Sequence, residues 1–336
     1  MMNRNSLRQL KRFKILAFIA FLPVLISWGP FGHEHINHAA VLALPDPLRV
    51  FFYNHIDFVT AESSVPDLRK YTLNDKAEKP RHFIDLENFG SPDSLPASLT
   101  EARKKYDDNF LQQNGILPWY IEEMMDKLTQ AFREKRKTEI LFLAADLGHY
   151  IGDAHMPLHT SANYDGQLTN QKGIHSFWES QLPEMFGDSY NYYFKQADYI
   201  NDIPKETWRM IRASHSLIDT LLLADKELKQ QFPAEDVYLK DASGNIVKNK
   251  FNSWVHSAEY SRQFNLKLNG MVERQMKEAI RATASFWYTA WVNAGKPELS
   301  GLDPAEQTQR NKDGLQKELD LFQQGKLMDV KSEKEF

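Results

Sequence analysis

Apolar residues recur every three or four positions along most of this chain, the spacing that places them on one face of an α-helix. The spacing predicts helices over residues 32–44, 46–54, 99–114, 117–137, 205–230 and 252–294 (the last as one long helix or two shorter ones), with a further helix beginning at Thr138. Only residues 237–247 favour a β-hairpin. The chain is therefore predicted to be all-α, with one possible small β-hairpin.

Both ends of the chain depart from this helical pattern. Residues 1–27 carry five basic and no acidic side chains and include an apolar run over residues 15–26. The run is too short for a comfortable transmembrane helix, so it predicts a secretory signal peptide, the alternative being an uncleaved membrane anchor. Residues 28–295 are predicted to form one domain. The charged tail over residues 296–336 is predicted to be a loosely packed helix or disordered.

The composition and charge of the chain exclude several kinds of site and partner. It contains no cysteine, which excludes thiolate zinc sites, disulfides and cysteine nucleophiles. Cleavage after Ser27 would remove five positive charges and take the formal net charge from −4 to −9. Such a protein has no general electrostatic attraction for nucleic acid. We expect it to be exported, to the periplasm or beyond, and expect no stable protein partner and no transmembrane helix after cleavage.

Two pairs of potential metal ligands are spaced four residues apart. His149 precedes Asp153 and His175 precedes Glu179 by that interval, which on a helix brings two side chains to about 5–6 Å at Cβ. His159 lies between the pairs. His33 lies earlier, at the start of the predicted helix over residues 32–44, and Asp67 and His82 lie on short polar segments that read as loops. A single histidine is more often a satisfied or exposed residue than a ligand. This many together predict a metal centre, and imidazole with carboxylate suits zinc.

At these residues the sequence resembles the superfamily of zinc-dependent phospholipases C and S1/P1 nucleases, which in bacteria are exported. The resemblance spans roughly residues 28–295 and implies a single multi-helix domain that binds three zinc ions. It is specific because all nine ligand positions of the superfamily appear in order. They are Trp28 (through its free amine and carbonyl), His33, Asp67, His82, His149, Asp153, His159, His175 and Glu179.

The resemblance also implies how these ligands are shared. Asp67, His82, His149 and Asp153 would hold one zinc of a close pair, and His159, His175 and Glu179 the other. Trp28, His33 and a shared Asp153 would hold a third, more separate ion. An amine at Trp28 exists only if cleavage follows Ser27, so the resemblance links export to metal binding.

The reaction implied is phosphodiester hydrolysis by a zinc-bound hydroxide that attacks phosphorus. Asp67 is the candidate for orienting or deprotonating the water, in addition to its role as a ligand. Three further residues are candidates for binding substrate: Lys70, Phe83 and Asp85. For Phe83 the competing interpretation is simple packing, and for Asp85 an exposed loop carboxylate.

The choice of phosphodiester rests on departures from the nuclease branch. Glu179 replaces the aspartate usual in nucleases, and the connection from His159 to His175 is short, with a reduced loop at residues 164–167. These features favour a phospholipase C-like enzyme over an endonuclease for single-stranded nucleic acid. A third hypothesis is a non-catalytic protein that binds zinc or phosphate esters. A peptidase is not supported, because the chain has no His-Glu-x-x-His helix.

Overall fold

Helices make up most of the chain in the computed structural model, which describes residues 29–91, 95–250, 252–328, 330–332 and 334–336. The all-α prediction is confirmed. Over those residues the only extended pairing consists of three isolated bridges, one of which joins Lys240 to Ile246 within the predicted hairpin. The predicted signal peptide and Trp28 lie outside the described residues. None of the described helices combines the length and apolar character that a membrane span requires.

The described residues form fifteen α-helices. They are α1 (Pro30–Leu42), α2 (Leu48–Tyr53), α3 (Ile56–Glu62), α4 (Val65–Tyr71), α5 (Leu99–Lys105), α6 (Asp108–Asn114), α7 (Leu117–Arg133), α8 (Lys137–Ala154), α9 (Ile174–Ser176), α10 (Leu182–Phe186), α11 (Ile203–His215), α12 (Ile218–Gln231), α13 (Ala258–Lys267), α14 (Met271–Asn293) and α15 (Gln309–Phe322).

The core forms where α1, α7, α8 and α14 pack against one another. The apolar stripe of α7 faces this core, and almost every residue of α1 is buried, so α1 runs through the centre of the domain. Trp287 of α14 stacks on Phe52 with ring centroids 5.0 Å apart and donates its indole N–H to the Ala144 carbonyl at 2.9 Å. These contacts hold α8 firmly, and α8 carries two of the predicted ligands.

Two predicted helices are each divided in the structure. The 99–114 segment breaks because Asp107 adopts an extended backbone and its side chain accepts the N–H of Phe110 at 2.7 Å. A strong N-cap thus begins a new helix where periodicity alone would continue the old one. The 205–230 segment breaks in a tight turn, where Leu217 N–H bonds to the Ser214 carbonyl at 3.0 Å. The single-helix prediction was wrong at both places.

The charged tail contains a well-anchored helix. Glu318 of α15 is buried, with its carboxylate 2.8 Å from Nε2 of His38 and accepting the hydroxyl of Tyr53 at 3.0 Å. Phe322 of the same helix is also buried. The tail therefore packs on α1 and α2 through a polar network and an aromatic anchor, which periodicity of apolar residues does not reveal.

Candidate metal centre

Asp153 lies at the centre of the cluster of candidate ligands. It is fully buried on α8. One carboxylate oxygen is 3.0 Å from Nδ1 of His82 and 3.4 Å from Nε2 of His149. The other is 3.6 Å from Nε2 of His33 and 3.8 Å from Nδ1 of His159. Four imidazoles therefore surround a single carboxylate, which can share metal ions between them.

Two glycines of α8 allow α1 to bring His33 into this cluster. A Cβ on Gly148 would lie 2.0 Å from Oδ1 of Asn37, and a Cβ on Gly152 would lie 3.0 Å from Nδ1 of His33. The absence of side chains at both positions permits close approach of the two helices. As a result the rings of His33 and His149 stack with centroids 3.8 Å apart.

Asp67 and His82 approach Asp153 from the other side. Oδ1 of Asp67 is 3.6 Å from Nδ1 of His82 and 4.0 Å from Nε2 of His149. Asp67 lies in the first turn of α4, and His82 ends the 3₁₀ turn Lys79–His82. The prediction that loops carry these two residues was wrong, because the proline of each segment begins a helical turn.

His159, His175 and Glu179 form a second group. The Glu179 carboxylate is 3.0 Å from Nε2 of His175 and 3.5 Å from Nε2 of His159. Glu179 lies in the π-helical turn Phe177–Gln181, which continues α9 into α10. Such turns insert one extra residue into a helix and occur frequently at functional sites. The predicted interval of four is kept, but the local helix is wider than an α-helix.

Backbone carbonyls orient the histidines of both groups. Nδ1 of His149 is 2.8 Å from the Ser63 carbonyl, and Nδ1 of His175 is 2.7 Å from the Tyr164 carbonyl. His159 is held in the same way by the carbonyl of residue 82. With Nδ1–H donated to a carbonyl, Nε2 of each ring faces the cluster.

Glu78 holds His82 in the opposite orientation, and the sequence analysis missed it. Its buried carboxylate is 3.4 Å from Nε2 of His82, so Nδ1 faces the cluster instead. Arg69 and Arg81 donate to the same carboxylate at 3.2 and 2.8 Å, and the hydroxyl of Tyr150 also donates to it. Glu78 precedes His82 by four residues, the interval already recognised elsewhere in the chain, and that spacing was the available signal.

Replacing Glu78 with glutamine is expected to weaken zinc binding by about 10–100-fold, the usual cost of losing a carboxylate behind a metal-binding histidine. Glutamine keeps the shape but loses the charge that favours the required proton position on His82. Competition with a chelator measures the change. Glu123, whose carboxylate pairs with Lys127 at the surface, supplies the control Glu123→Gln. Unchanged zinc affinity together with lower folding stability would show that Glu78 stabilises the fold through Arg69 and Arg81 and does not support the metal site.

The carboxylates of the cluster are held in their charged form. Burial raises the pKa of Asp153, but the adjacent His149 and His159 bring it well below its usual value. Burial also raises the pKa of Asp67, and the Lys70 ammonium is the largest influence that lowers it below normal. Anionic oxygens buried among imidazoles are suited to bind cations.

The imidazoles differ in their proton affinity. Burial, with a further contribution from His149, lowers the pKa of His33 well below its usual value, so this ring is neutral and ready to bind a metal. Burial also disfavours the charged form of His175, yet the adjacent Glu179 raises its pKa to about 9. A metal binding at the second group must therefore displace a proton from His175.

The donor set fits metal ions. Three groups bring their ligand atoms within 4.8 Å of one another: His33 with Asp67 and His149; His82 with His149 and Asp153; His159 with His175 and Glu179. In the described part of the chain, Nε2 of His159, Nε2 of His175 and both oxygens of Glu179 are buried and have no polar partner beyond their contacts with one another. Orphaned polar atoms of this kind are costly unless a cation satisfies them.

The three candidate substrate residues differ in their surroundings. Nζ of Lys70 is 2.9 Å from Oδ1 of Asp67. Phe83 is half-buried beside His82. Asp85 is buried rather than exposed, and its Oδ1 has no hydrogen-bond partner among the described residues. Burial, with a contribution from the charge of Glu87, raises the pKa of Asp85 to about 7. Lys70 thus contacts a candidate ligand directly, whereas Phe83 and Asp85 follow the candidate ligand His82 closely in the chain.

Comparison with known proteins identifies the relatives of this chain. Residues 28–283 match the family described as S1/P1 Nuclease. A comparison with curated protein sequences found no significant match. Among solved structures, the alpha toxin of Clostridium absonum matches at 13% identity with a TM-score of 0.46, covering 80% of this chain and 65% of the toxin. The alpha-toxin from an avian strain of Clostridium perfringens matches at 13% identity and a TM-score of 0.45 with the same coverage. The chain thus spans just under two thirds of the length of these toxins.

Proposed function

Since the chain belongs to the S1/P1 nuclease family, we propose that it is a phosphodiester hydrolase, and more narrowly a phospholipase C-like enzyme that uses three zinc ions. Eight of the proposed ligands are described in the structure, and Trp28 would complete the set through its amine and carbonyl. The observation that carries the metal assignment is the clustering of buried imidazole and carboxylate ligand atoms around Asp153 and Glu179.

Zinc suits these residues because imidazole nitrogen and carboxylate oxygen are its usual donors in the absence of cysteine. When bound, the ions would supply an activated water at neutral pH and would neutralise charge on the phosphoryl group. The chain's own residues have separate tasks. Asp153 holds four imidazoles in fixed positions, and carbonyls fix the ring orientation of three histidines.

Asp67 and Lys70 are the groups placed to act on the reactants. Asp67 is ionised, so its free oxygen can orient a water molecule or accept a proton from it. Lys70 Nζ lies 2.9 Å from Asp67 and can bind a phosphoryl oxygen instead of Asp67 when substrate binds. A lysine supplies charge there without the two-point geometry of arginine.

The segments that carry the ligands expose apolar side chains, which supports a lipid substrate. Leu68, adjacent to Asp67, is 55% exposed, and Leu73 is 73% exposed just beyond α4. Leu168, in the connection between His159 and His175, is 72% exposed. Exposed apolar side chains near a binding site mark contact surfaces for membranes or ligands. The proposal is therefore that these leucines enter the lipid surface while the head group reaches the metal centre.

Single-stranded nucleic acid is the second candidate substrate. The family match favours it, and the half-buried Phe83 beside the buried Asp85 could stack on a base and bond to its edge. Glu179 and the short connection between His159 and His175 favour a phospholipid substrate over nucleic acid.

The proposal is tested with protein that begins at Trp28, assayed on phosphatidylcholine micelles, single-stranded DNA, RNA and a chromogenic phosphodiester. Micelles are expected to be the best substrate, and a chelator is expected to abolish every activity. Preference for DNA or RNA would select the second candidate. Hydrolysis that resists the chelator would reject the zinc mechanism. Fewer than three zinc ions with no hydrolysis would indicate a non-catalytic binding protein.

Replacing Leu168 with serine is expected to lower activity on micelles several-fold and to leave activity on the soluble chromogenic diester unchanged. The reason is that the leucine would bury apolar area in the lipid surface, worth about 1.5–3 kcal/mol if buried fully. Leu266 is 62% exposed on α13, a helix that carries no proposed ligand, and Leu266→Ser is the matched control. Equal losses on both substrates, or in both variants, would contradict a role in lipid contact.

Export belongs to the same proposal. A free amine at Trp28 requires removal of residues 1–27, so the protein would acquire its third zinc only after its signal peptide is cleaved. Its place of action would then be the periplasm or the medium.

A further inference from the structure

The π-helical turn Phe177–Gln181, which carries Glu179, lies between two stretches of ordinary α-helix, α9 and α10. A π-helix is rare and occurs mostly as a single turn that inserts one extra residue into an α-helix. One residue more or less turns the following side chains by about 100° around the helix axis. The direction of the Glu179 carboxylate therefore depends on what holds the turn in its π-helical form.

Both ends of this turn contact one residue, His256. Gln181, the last residue of the turn, bonds to the His256 backbone at two points. Its Nε2 donates to the His256 carbonyl at 2.7 Å, and its Oε1 accepts the His256 N–H at 2.9 Å. Phe177, the first residue of the turn, stacks on the His256 imidazole with ring centroids 3.7 Å apart. Glu179 lies midway between these contacts, two residues from each.

His256 is itself fixed, although it lies 75 residues after Gln181 in the chain. It forms an antiparallel bridge with Tyr238, and the next residue, Ser257, donates its N–H to the Val237 carbonyl at 3.0 Å. His256 and Gln181 are both buried, so water does not compete for the hydrogen bonds between them. The turn is thus held at both ends by a residue whose own position is set elsewhere.

The His256 ring contributes its face rather than a ligand atom. Its Nδ1 is buried without a hydrogen-bond partner among the described residues, and none of the three groups of ligand atoms includes it. We propose that Phe177, Gln181 and His256 are positioning residues, which keep the turn π-helical and so direct Glu179 towards the second group of ligands. This inference rests on the proposed function, because it concerns a ligand of the proposed zinc pair.

The test uses zinc-loaded protein beginning at Trp28 and the variant Gln181→Leu, which removes both hydrogen bonds to His256. In competition with a chelator, one zinc ion per chain is expected to bind about 10–100-fold more weakly, the usual effect of losing a residue that supports a metal ligand, and the others to bind as before. Turnover of the chromogenic diester is expected to return when zinc is supplied in excess. In protein that already carries Glu179→Gln, adding Gln181→Leu is expected to cost no further zinc affinity.

A pair of His256 variants tests the stacked ring. His256→Phe keeps an aromatic face against Phe177 and keeps the backbone bonds to Gln181, so its zinc affinity is expected to match that of the unmodified protein. His256→Ala loses the ring and is expected to weaken the same single ion.

Asn311→Leu is the matched control for Gln181→Leu. The Asn311 amide also donates to a backbone carbonyl, that of Glu306 at 2.8 Å, and to a second side chain, that of Asn54 at 3.3 Å. It lies in α15, which carries no proposed ligand. This variant is expected to lose folding stability in thermal unfolding and to keep all its zinc.

Three results would overturn the inference. Unchanged zinc affinity in Gln181→Leu would show that the contacts with His256 support the fold alone, and equal weakening of every ion would show that they do not act through Glu179. If Gln181→Leu does not fold, equal zinc affinity in His256→Ala and His256→Phe would overturn the inference instead. Selective weakening of one ion in a protein that hydrolyses no diester would support the inference and reject the proposed function. Hydrolysis with unchanged zinc affinity in Gln181→Leu would do the reverse.

Discussion

Replacing Asp153 with asparagine is expected to abolish hydrolysis and to release at least two of three zinc ions. The carboxylate lies within 3.8 Å of four imidazoles, and an amide cannot bridge two cations between them. Loss of metal-derived stabilisation of several kcal/mol corresponds to a fall in kcat/KM of about 10³-fold or more. Metal analysis by mass spectrometry and diester hydrolysis measure the two effects on one sample.

Glu318→Gln provides the matched control for Asp153→Asn. Glu318 is also a buried carboxylate beside a histidine, 2.8 Å from His38, but it lies outside the metal groups. We expect this control to lose folding stability and to keep its zinc and its activity. Full zinc content in Asp153→Asn would contradict the proposal that Asp153 is a shared metal ligand.

Replacing Asp67 with asparagine is expected to reduce turnover by about 10²–10⁴-fold, the usual contribution of a general base, even in protein that keeps its metal. Asparagine can still coordinate through its amide oxygen, but it cannot accept a proton. The measurement is kcat on the chromogenic diester, normalised to the zinc content of each preparation.

Asp75→Asn serves as the control for Asp67→Asn, since Asp75 is an exposed aspartate shortly after α4 whose side chain accepts only the N–H of Ala77 at 2.9 Å. Turnover per bound zinc that matches the unmodified protein would exclude Asp67 as the base. A loss that simply follows zinc content would assign Asp67 the role of ligand alone.

Local spacing in the sequence predicts the parts of the site that local structure creates. The i, i+4 interval pairs His149 with Asp153 and His175 with Glu179, because each pair lies on a helix. The periodicity of apolar residues likewise predicts the helical class. It does not predict where a helix divides, because an N-cap such as that of Asp107 depends on a single side chain.

Contacts between distant segments are beyond this kind of inference. Gly148 matters only because α1 crosses α8 at that point. Glu318 of the tail contacts His38, 280 residues earlier in the chain, although the composition of the tail indicates little packing. Tertiary structure determines each of these, and neither periodicity nor residue type carries the information.

The candidate ligands from His33 to Glu179 are spread over seven elements: α1, α4, the Lys79–His82 turn, α8, the Pro157–Thr160 turn, α9 and the π-helical turn. Bound ions would therefore act as cross-links between parts of the chain that are far apart in sequence. Binding energy of this kind adds directly to the stability of the folded state. In a chain that has no cysteine, metal ions would perform the task that disulfides perform in many other proteins, and resistance to unfolding would depend on the supply of zinc.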